Sequence, residues 1–319
     1  MTVDIAALPS PGEKRLAVRV TKDARRHLRA GHPWVYDRSI TSTSHDAEPG
    51  DLAVVFDHDR KFAAIGLWDP SSPIQVKVLH EGSSMTIDDA FWHARVAAAV
   101  ELRRPLLENP ATNAYRILHG ENDGLPGVVF DLYAGIGVLK IYTEAWIPHL
   151  RPLLAAIVDE IGPTSVIVRF ARSVAQRPDL GLVEGALVRG DAFDEPVMFR
   201  ENGLRFEAHP TTGQKTGHFL DQRDNRQRVR ALAEGRRVLD VFSCTGGFSV
   251  HAAAGGASEV HAVDLASAAV EAAGRNMEHN ADVGAVAGCR HVGHHGDAFE
   301  VMMGMADRGE IFDLVVIDP

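Results

Sequence analysis

Cysteine is nearly absent from this chain, with two residues, Cys244 and Cys289, among 319. No Cys-x-x-Cys pair occurs, which excludes a disulfide scaffold and a zinc knuckle and fits a reducing, cytoplasmic compartment. Also missing is any uncharged apolar run near the ~18 residues that a bilayer crossing takes, and Met1 to Arg15 has no apolar core of the secretory kind. No membrane partner is expected. Basic charge is scarce overall, since 33 Lys and Arg against 43 Asp and Glu leave a formal net charge of -10. That balance argues against a chain that coats nucleic acid by bulk electrostatics. Internal repeats and low-complexity tracts are lacking too. What is present is ordinary globular material, 45% hydrophobic and 24% charged, which excludes wholesale disorder. At 319 residues the chain exceeds what one core usually serves, so two or three domains are expected.

The charge is unevenly spread. Residues 1–80 carry 11 Lys and Arg against 10 Asp and Glu, whereas residues 81–319 carry 22 against 33. Within residues 14–38 the count is eight basic to two acidic, a local docking face on an acidic protein. Thr21 to Ala30 reads as a helix with Lys22, Arg25, Arg26 and Arg29 on one face and Ala24 and Leu28 opposite. Trp34 follows closely, and a Trp can stack on a base while cations hold phosphates. The alternative for the basic row is a merely solvated face.

Short strands at Leu16–Val20, Leu52–Phe56, Phe62–Gly66 and Ile74–Leu79, punctuated by turn signals, predict a small β-rich module. A long helix over Asp88 to Leu107, strands near residues 127–131, 137–142 and 165–170, and a helix near 147–161 predict a mixed α/β domain. In the last third, strands at Arg237–Phe242, Glu259–Asp264, His291–His295 and Phe312–Asp318 alternate with helices near residues 247–255, 267–280 and 298–307. That spacing predicts a parallel, doubly wound sheet.

The sharpest local signal is Val238 to Phe248, an apolar strand that runs into Ser243-Cys244-Thr245-Gly246-Gly247 and then a helix. Two glycines there let a ligand approach the backbone closely. The next strand ends in Asp264, placed to accept both hydroxyls of a ribose, and the third closes on Asp297, within reach of an adenine edge. A dinucleotide wants Gly-x-Gly-x-x-Gly for its pyrophosphate, and that cradle is missing. S-adenosylmethionine, which has no phosphates and carries cationic sulfonium and amino groups, suits Asp240, Asp264 and Asp297 better. His291, His294 and His295 lack a carboxylate or cysteine set that would complete a metal site, so no metal is expected.

Several stretches in order resemble the PUA-domain-containing class I methyltransferases that modify 23S ribosomal RNA, typically at carbon 5 of a cytosine. They are Arg29 to Tyr36, Tyr115-Arg116, Gly120 to Gly127, Gly213 to Arg226, Phe242 to Phe248 and Asp318-Pro319. The resemblance implies a PUA-like small β-barrel (1–82), a central α+β domain of EEHEE type (83–190) and a Rossmann-like methyltransferase sheet (191–319), incomplete after its fourth strand. It further implies S-adenosylmethionine as cofactor and ribosomal RNA as partner, with Lys22, Arg25, Arg26, Arg29 and Trp34 on the RNA. A homodimer is compatible with it. Phe242, Ser243, Thr245 and Gly246 would surround the methionine moiety, Asp264 would hold the ribose and Asp297 the adenine. Asp221, Arg223 and Asp318 would share that pocket, Arg223 meeting the cofactor carboxylate. Cys244 stands where the family more often has an aromatic residue, and it faces the cofactor rather than a base.

Carbon-5 methylation needs a cysteine thiolate to add to C6 before C5 can attack the sulfonium. The family's cysteine follows the Asp-Pro motif, so the sequence predicts that residues 1–319 hold part of the cofactor site without transferring a methyl group to C5. The strand Leu314 to Ile317 is then expected at a sheet edge. Rival readings are methylation of a base nitrogen and a non-catalytic RNA-binding protein.

Overall fold

A computed structural model describes residues 3–176, 181–213 and 216–319. Met1, and Gln214 and Lys215 of the 213–226 motif, lie outside the described residues. The chain splits into two compact units. One comprises Met1–Glu108, Tyr115–Asp194 and Pro210–Thr212, the other Asn109–Ala114, Glu195–His209 and Gly213–Pro319.

The first unit begins with β1 (Leu16–Val20), α1 (Lys22–Arg29), β2 (Trp34–Tyr36), β3 (Ile40–Thr43), β4 (Leu52–Phe56), β5 (Phe62–Trp68) and β6 (Ile74–Glu81). Their sheet runs β2-β6-β5-β4-β1-β3, leaving β2 and β3 as its edges. Along β1 the alternation predicted from sequence holds, with Leu16, Val18 and Val20 buried and Arg19 exposed. Thr21 caps α1 by accepting from Ala24 N at 3.3 Å, and Ala24 and Leu28 join the same core. β2 and β3 span three and four residues, too few for periodicity to reveal them.

The unit continues with α2 (Asp89–Leu107), β7 (Ala114–His119), β8 (Val128–Tyr133), β9 (Ile136–Ile141), α3 (Leu150–Ile161), β10 (Ser165–Phe170), α4 (Arg172–Ala175) and β11 (Ala186–Arg189). Their sheet order is β11-β10-β9-β8-β7. Trp92, Phe130 and Trp146 are fully enclosed in its core. Two motif stretches serve this framework. Arg103 donates to both oxygens of Asp123 at 2.8 Å, and Arg116 donates to both oxygens of the buried Asp131 at 2.9 and 3.0 Å.

The second unit opens with a hairpin, β12 (Val197–Glu201) and β13 (Leu204–Ala208). Its turn is Asn202-Gly203 with φ of 50° and 82°, the dipeptide that two-residue hairpin turns favour. After α5 (Arg223–Leu232) come β14 (Arg237–Val241), α6 (Gly247–Ala254), β15 (Glu259–Asp264), α7 (Ser267–Glu278), α8 (Gly284–Ala287), β16 (Arg290–His295), α9 (Ala298–Asp307) and β17 (Leu314–Ile317). The four strands are parallel in the order β16-β15-β14-β17. Winding reverses between β14 and β17, and such a switch point opens a crevice at the carboxyl ends of the strands. β17 lies at the edge, with Val315 and Ile317 exposed. Among the described residues no helix is long and apolar enough to cross a membrane.

Candidate functional site

The segment after β14 is held in a conformation that side chains resist. Phe242 and Cys244 have φ of 62° and 46°, a region costly for residues with a Cβ. Three contacts pin it. Ser243 N donates to Val263 O at 3.0 Å, Cys244 N to Asp264 Oδ2 at 2.9 Å, and Asn276 Nδ2 to Thr245 O at 2.8 Å. Gly246 is required on two counts, because its φ is 74° and an added Cβ would sit 2.6 Å from Ala273 Cβ. The turn can thus lie flat against α7 and present its upper side to the crevice.

That crevice is a cavity of about 330 Å³. Six residues named from sequence line it: Asp221, Phe242, Ser243, Thr245, Asp264 and Asp318. His218, Gln222, Arg226 and Cys244 join them. Asp264 is half-buried, and its Oδ1 also accepts from Ala266 N at 2.9 Å. Each oxygen keeps a second lone pair for an incoming hydroxyl. Ser243 Oγ is buried without a hydrogen-bond partner among the described residues, which calls for a ligand atom. The cationic member, Arg226, is already neutralised by Glu201, to which it donates twice at 2.6 Å. Asp221, Asp264 and Asp318 therefore leave the cavity net acidic. These groups fit S-adenosylmethionine: a carboxylate for vicinal hydroxyls, a spare hydroxyl, and negative potential for a sulfonium and an ammonium.

Other residues named from the sequence stand apart from that lining. Asp240 does not face the cavity. It lies within β14 at 1% exposure and accepts from Ser249 Oγ at 2.6 Å. Asp297 lies outside the cavity lining, where its exposed carboxylate caps α9 by accepting from Phe299 N and Glu300 N at 2.9 and 3.2 Å. Arg223 is also outside the lining, its Nε on Asp224 Oδ1 at 3.1 Å. One helical turn on, Arg226 takes the inward position because α5 turns that face to Glu201. Gly246 sits in the turn itself, with its backbone against Ala273. Sequence reasoning missed Arg226 and Glu201, although the Glu201-Asn202-Gly203 hairpin signal was available.

Burial pushes the Asp240 carboxyl up to about 7, with Ser249 opposing and Asp318 adding to the rise. Folding therefore raises this pKa from 3.8. The stabilising contribution is full below about 3.8 and is lost as pH rises through about 7. Asp240→Asn stays neutral throughout, so it should gain stability relative to the parent as pH goes from about 4 to about 8. Urea midpoints of both proteins across that window check this, and a pH-independent difference contradicts it.

In the first unit the basic row is partly neutralised. Arg25 turns inward to Asp57, because that 4%-exposed carboxylate needs a cation beside it. Arg26 pairs with Asp23 at 2.7 Å, while Lys22 and Arg29 stay exposed. Trp34 Nε1 donates to Glu121 Oε1 at 3.0 Å. His291, His294 and His295 lie on β16. His294 Nε2 meets His261 Nδ1 of β15 at 2.9 Å.

Comparison with known proteins agrees with this geometry. Residues 18–81 match the PUA-like domain family, and residues 171–319 match the S-adenosylmethionine-dependent methyltransferase family. The chain is 47% identical over 316 residues to the ribosomal RNA large subunit methyltransferase of Deinococcus radiodurans, spanning 98% of this chain and 76% of that protein. It is 35% identical over 305 residues to ribosomal RNA large subunit methyltransferase I of Aeromonas salmonicida, spanning 95% and 75%. A solved structure from Streptococcus mutans, described as a SAM-dependent methyltransferase, matches with a TM-score of 0.81 at 21% identity, covering 95% of this chain and 76% of that one. At that identity the match speaks to fold alone. With nearly half its residues shared along almost its whole length, this chain belongs to the family of S-adenosylmethionine-dependent ribosomal RNA large subunit methyltransferases.

Proposed function

We propose that this protein methylates a base of large-subunit ribosomal RNA, carbon 5 of a cytosine in 23S RNA, with S-adenosylmethionine held at the end of β14. The observation that carries the reading is the convergence of Asp221, Asp264 and Asp318 with the unpartnered Ser243 hydroxyl on one cavity. When bound, the cofactor supplies an electrophilic methyl group on sulfur. Asp264 accepts the ribose hydroxyls, and Ser243, Thr245, Gly246 and Phe242 surround the methionine end. Asp221 and Asp318 supply negative potential toward the cationic groups. Residues 1–82 dock the RNA, with Lys22, Arg26 and Arg29 toward phosphates and Trp34 toward a base.

A second reading is methylation of a base nitrogen, whose attack needs no thiolate. Burial pushes the Cys244 thiol up, and Asp264 pushes it further. Burial lifts Cys289 to about 11. Neither is an activated thiolate. Incubation with ribosomal RNA and labelled cofactor, followed by nucleoside mass spectrometry, separates the readings. 5-Methylcytidine supports the first and an N-methylated nucleoside the second, while no uptake of S-adenosylmethionine by calorimetry would sink both. Cys244→Ala should leave cofactor affinity within about twofold, since a neutral thiol lining a pocket contributes little. A tenfold loss by calorimetry would contradict that.

A further inference from the structure

Three further rings gather around Trp34 of β2. Val35 points into the core at 1% exposure, so strand alternation sends Trp34 and Tyr36 to the opposite side, and ring contacts place His32 beside both. His27, in the last turn of α1, continues the row. Ring centroids lie 5.9 Å apart for His27–His32, 5.7 Å for His32–Trp34 and 6.4 Å for Trp34–Tyr36. The rings are tilted or edge-on to one another, at 35°, 81° and 88°, and none of these three pairs is stacked face to face. Tyr36 is 41% exposed. The bond from Trp34 Nε1 to Glu121 fixes the indole by its edge. β2 is a sheet edge with β6 beside it.

Three exposed cations stand near these rings, beside the carboxylates of Glu121 on Trp34 and Asp23 near His27. Arg29 ends α1 two residues after His27, and Arg38 follows Tyr36 by two. Both are exposed, as is Lys22, and among the described residues none of the three has a carboxylate partner. A protein partner would gain little from uncompensated cations beside aromatic faces. A polyanion with planar bases gains on both counts.

We propose that His27, His32, Trp34 and Tyr36 form a stacking platform for unpaired nucleotides, whose phosphates Arg29 and Arg38 hold. The proposal rests on the ribosomal RNA reading above and narrows it to a single-stranded segment. Bases in a duplex are stacked internally and cannot offer their faces to such a row.

Tryptophan fluorescence gives a local reporter. Trp68, Trp92 and Trp146 are buried, and Trp34 is the half-exposed member of the four. The full chain is titrated with a single-stranded oligoribonucleotide and with an RNA duplex of equal length. Saturable quenching by the single strand is expected, with weaker quenching by the duplex, and Trp34→Phe should abolish the signal. Tyr36→Ala should weaken single-strand binding about tenfold, and Tyr36→Phe should retain it, since stacking needs the ring and not the hydroxyl. Equal quenching by the duplex, or parental affinity in Tyr36→Ala confirmed folded by circular dichroism, overturns the platform. Labelled methyl transfer to ribosomal RNA is measured in parallel. Transfer by the parent protein without single-strand preference sinks the platform alone, whereas absence of transfer and of ribosomal RNA binding sinks the wider reading with it.

Discussion

Replacing Asp264 by alanine should lower affinity for S-adenosylmethionine by about 100-fold or more. Two hydroxyl hydrogen bonds to a carboxylate are worth roughly 1.5–3 kcal/mol each, so losing both costs two or more decades. The side chain also accepts from Cys244 N and Ala266 N, so its removal loosens the turn whose φ values of 62° and 46° need holding. Asp264→Asn separates the two effects. Its single carbonyl oxygen can keep one backbone bond and one ligand bond, so an intermediate loss of about tenfold is expected. Calorimetry with the cofactor measures both variants. An unchanged dissociation constant in Asp264→Ala would remove this residue, and with it the assigned orientation of the ligand.

Arg226→Met should be the most destabilising single change in the second unit, by about 3–5 kcal/mol, the usual cost of stranding one partner of a buried ion pair. Arg226 is 2% exposed, and the Glu201 side chain is fully buried. Without the guanidinium, the Glu201 carboxylate is left at the end of a hairpin with His251 Nε2 3.6 Å away. Burial, with Arg226 as a secondary cause, holds His251 down to about 3. Removing the arginine lifts that repulsion, and the imidazole can then take up a proton beside Glu201. The His251 pKa rises in the variant, so Arg226→Met should recover part of the lost stability as pH falls from about 7 to about 5. The double variant Arg226→Met/Glu201→Leu should regain most of the loss at neutral pH, because neither charge is then buried. Urea denaturation at two pH values tests each statement. A loss below about 1 kcal/mol in the single variant would show that the pair is more hydrated than its geometry implies.

Arg226 and Asp264 also mark where sequence reasoning succeeds and where it stops. Asp264 was legible because its signal is local: an apolar run ends, the helix pattern begins one turn later, and an acid stands between. Arg226 was not, because the choice between it and Arg223 depends on which face of α5 meets the hairpin. Glu201, 25 residues away in sequence, makes that choice. Asp297 carries a second local signal, since Asp297-Ala298-Phe299-Glu300 reads as a helix-capping pattern, and its Oδ1 takes both capping bonds. Asp240 offered no cue, since a strand buried on both sides shows no alternation to tell inward from outward.

The sequence by itself determined the alternation of strands and longer helices in the last third, the glycine turn after β14 and the acids at strand tips. All of these rest on contacts between near neighbours, and backbone sterics and hydrophobic period write them directly into the residue pattern. Tertiary structure alone decided which carboxylates share the cavity, that Arg25 turns away to neutralise Asp57, and that four rings from a helix and an edge strand form one row. Those outcomes depend on segments distant in the chain, where the need to pair a buried charge or cover a sheet face selects one rotation among several that local propensity leaves equal.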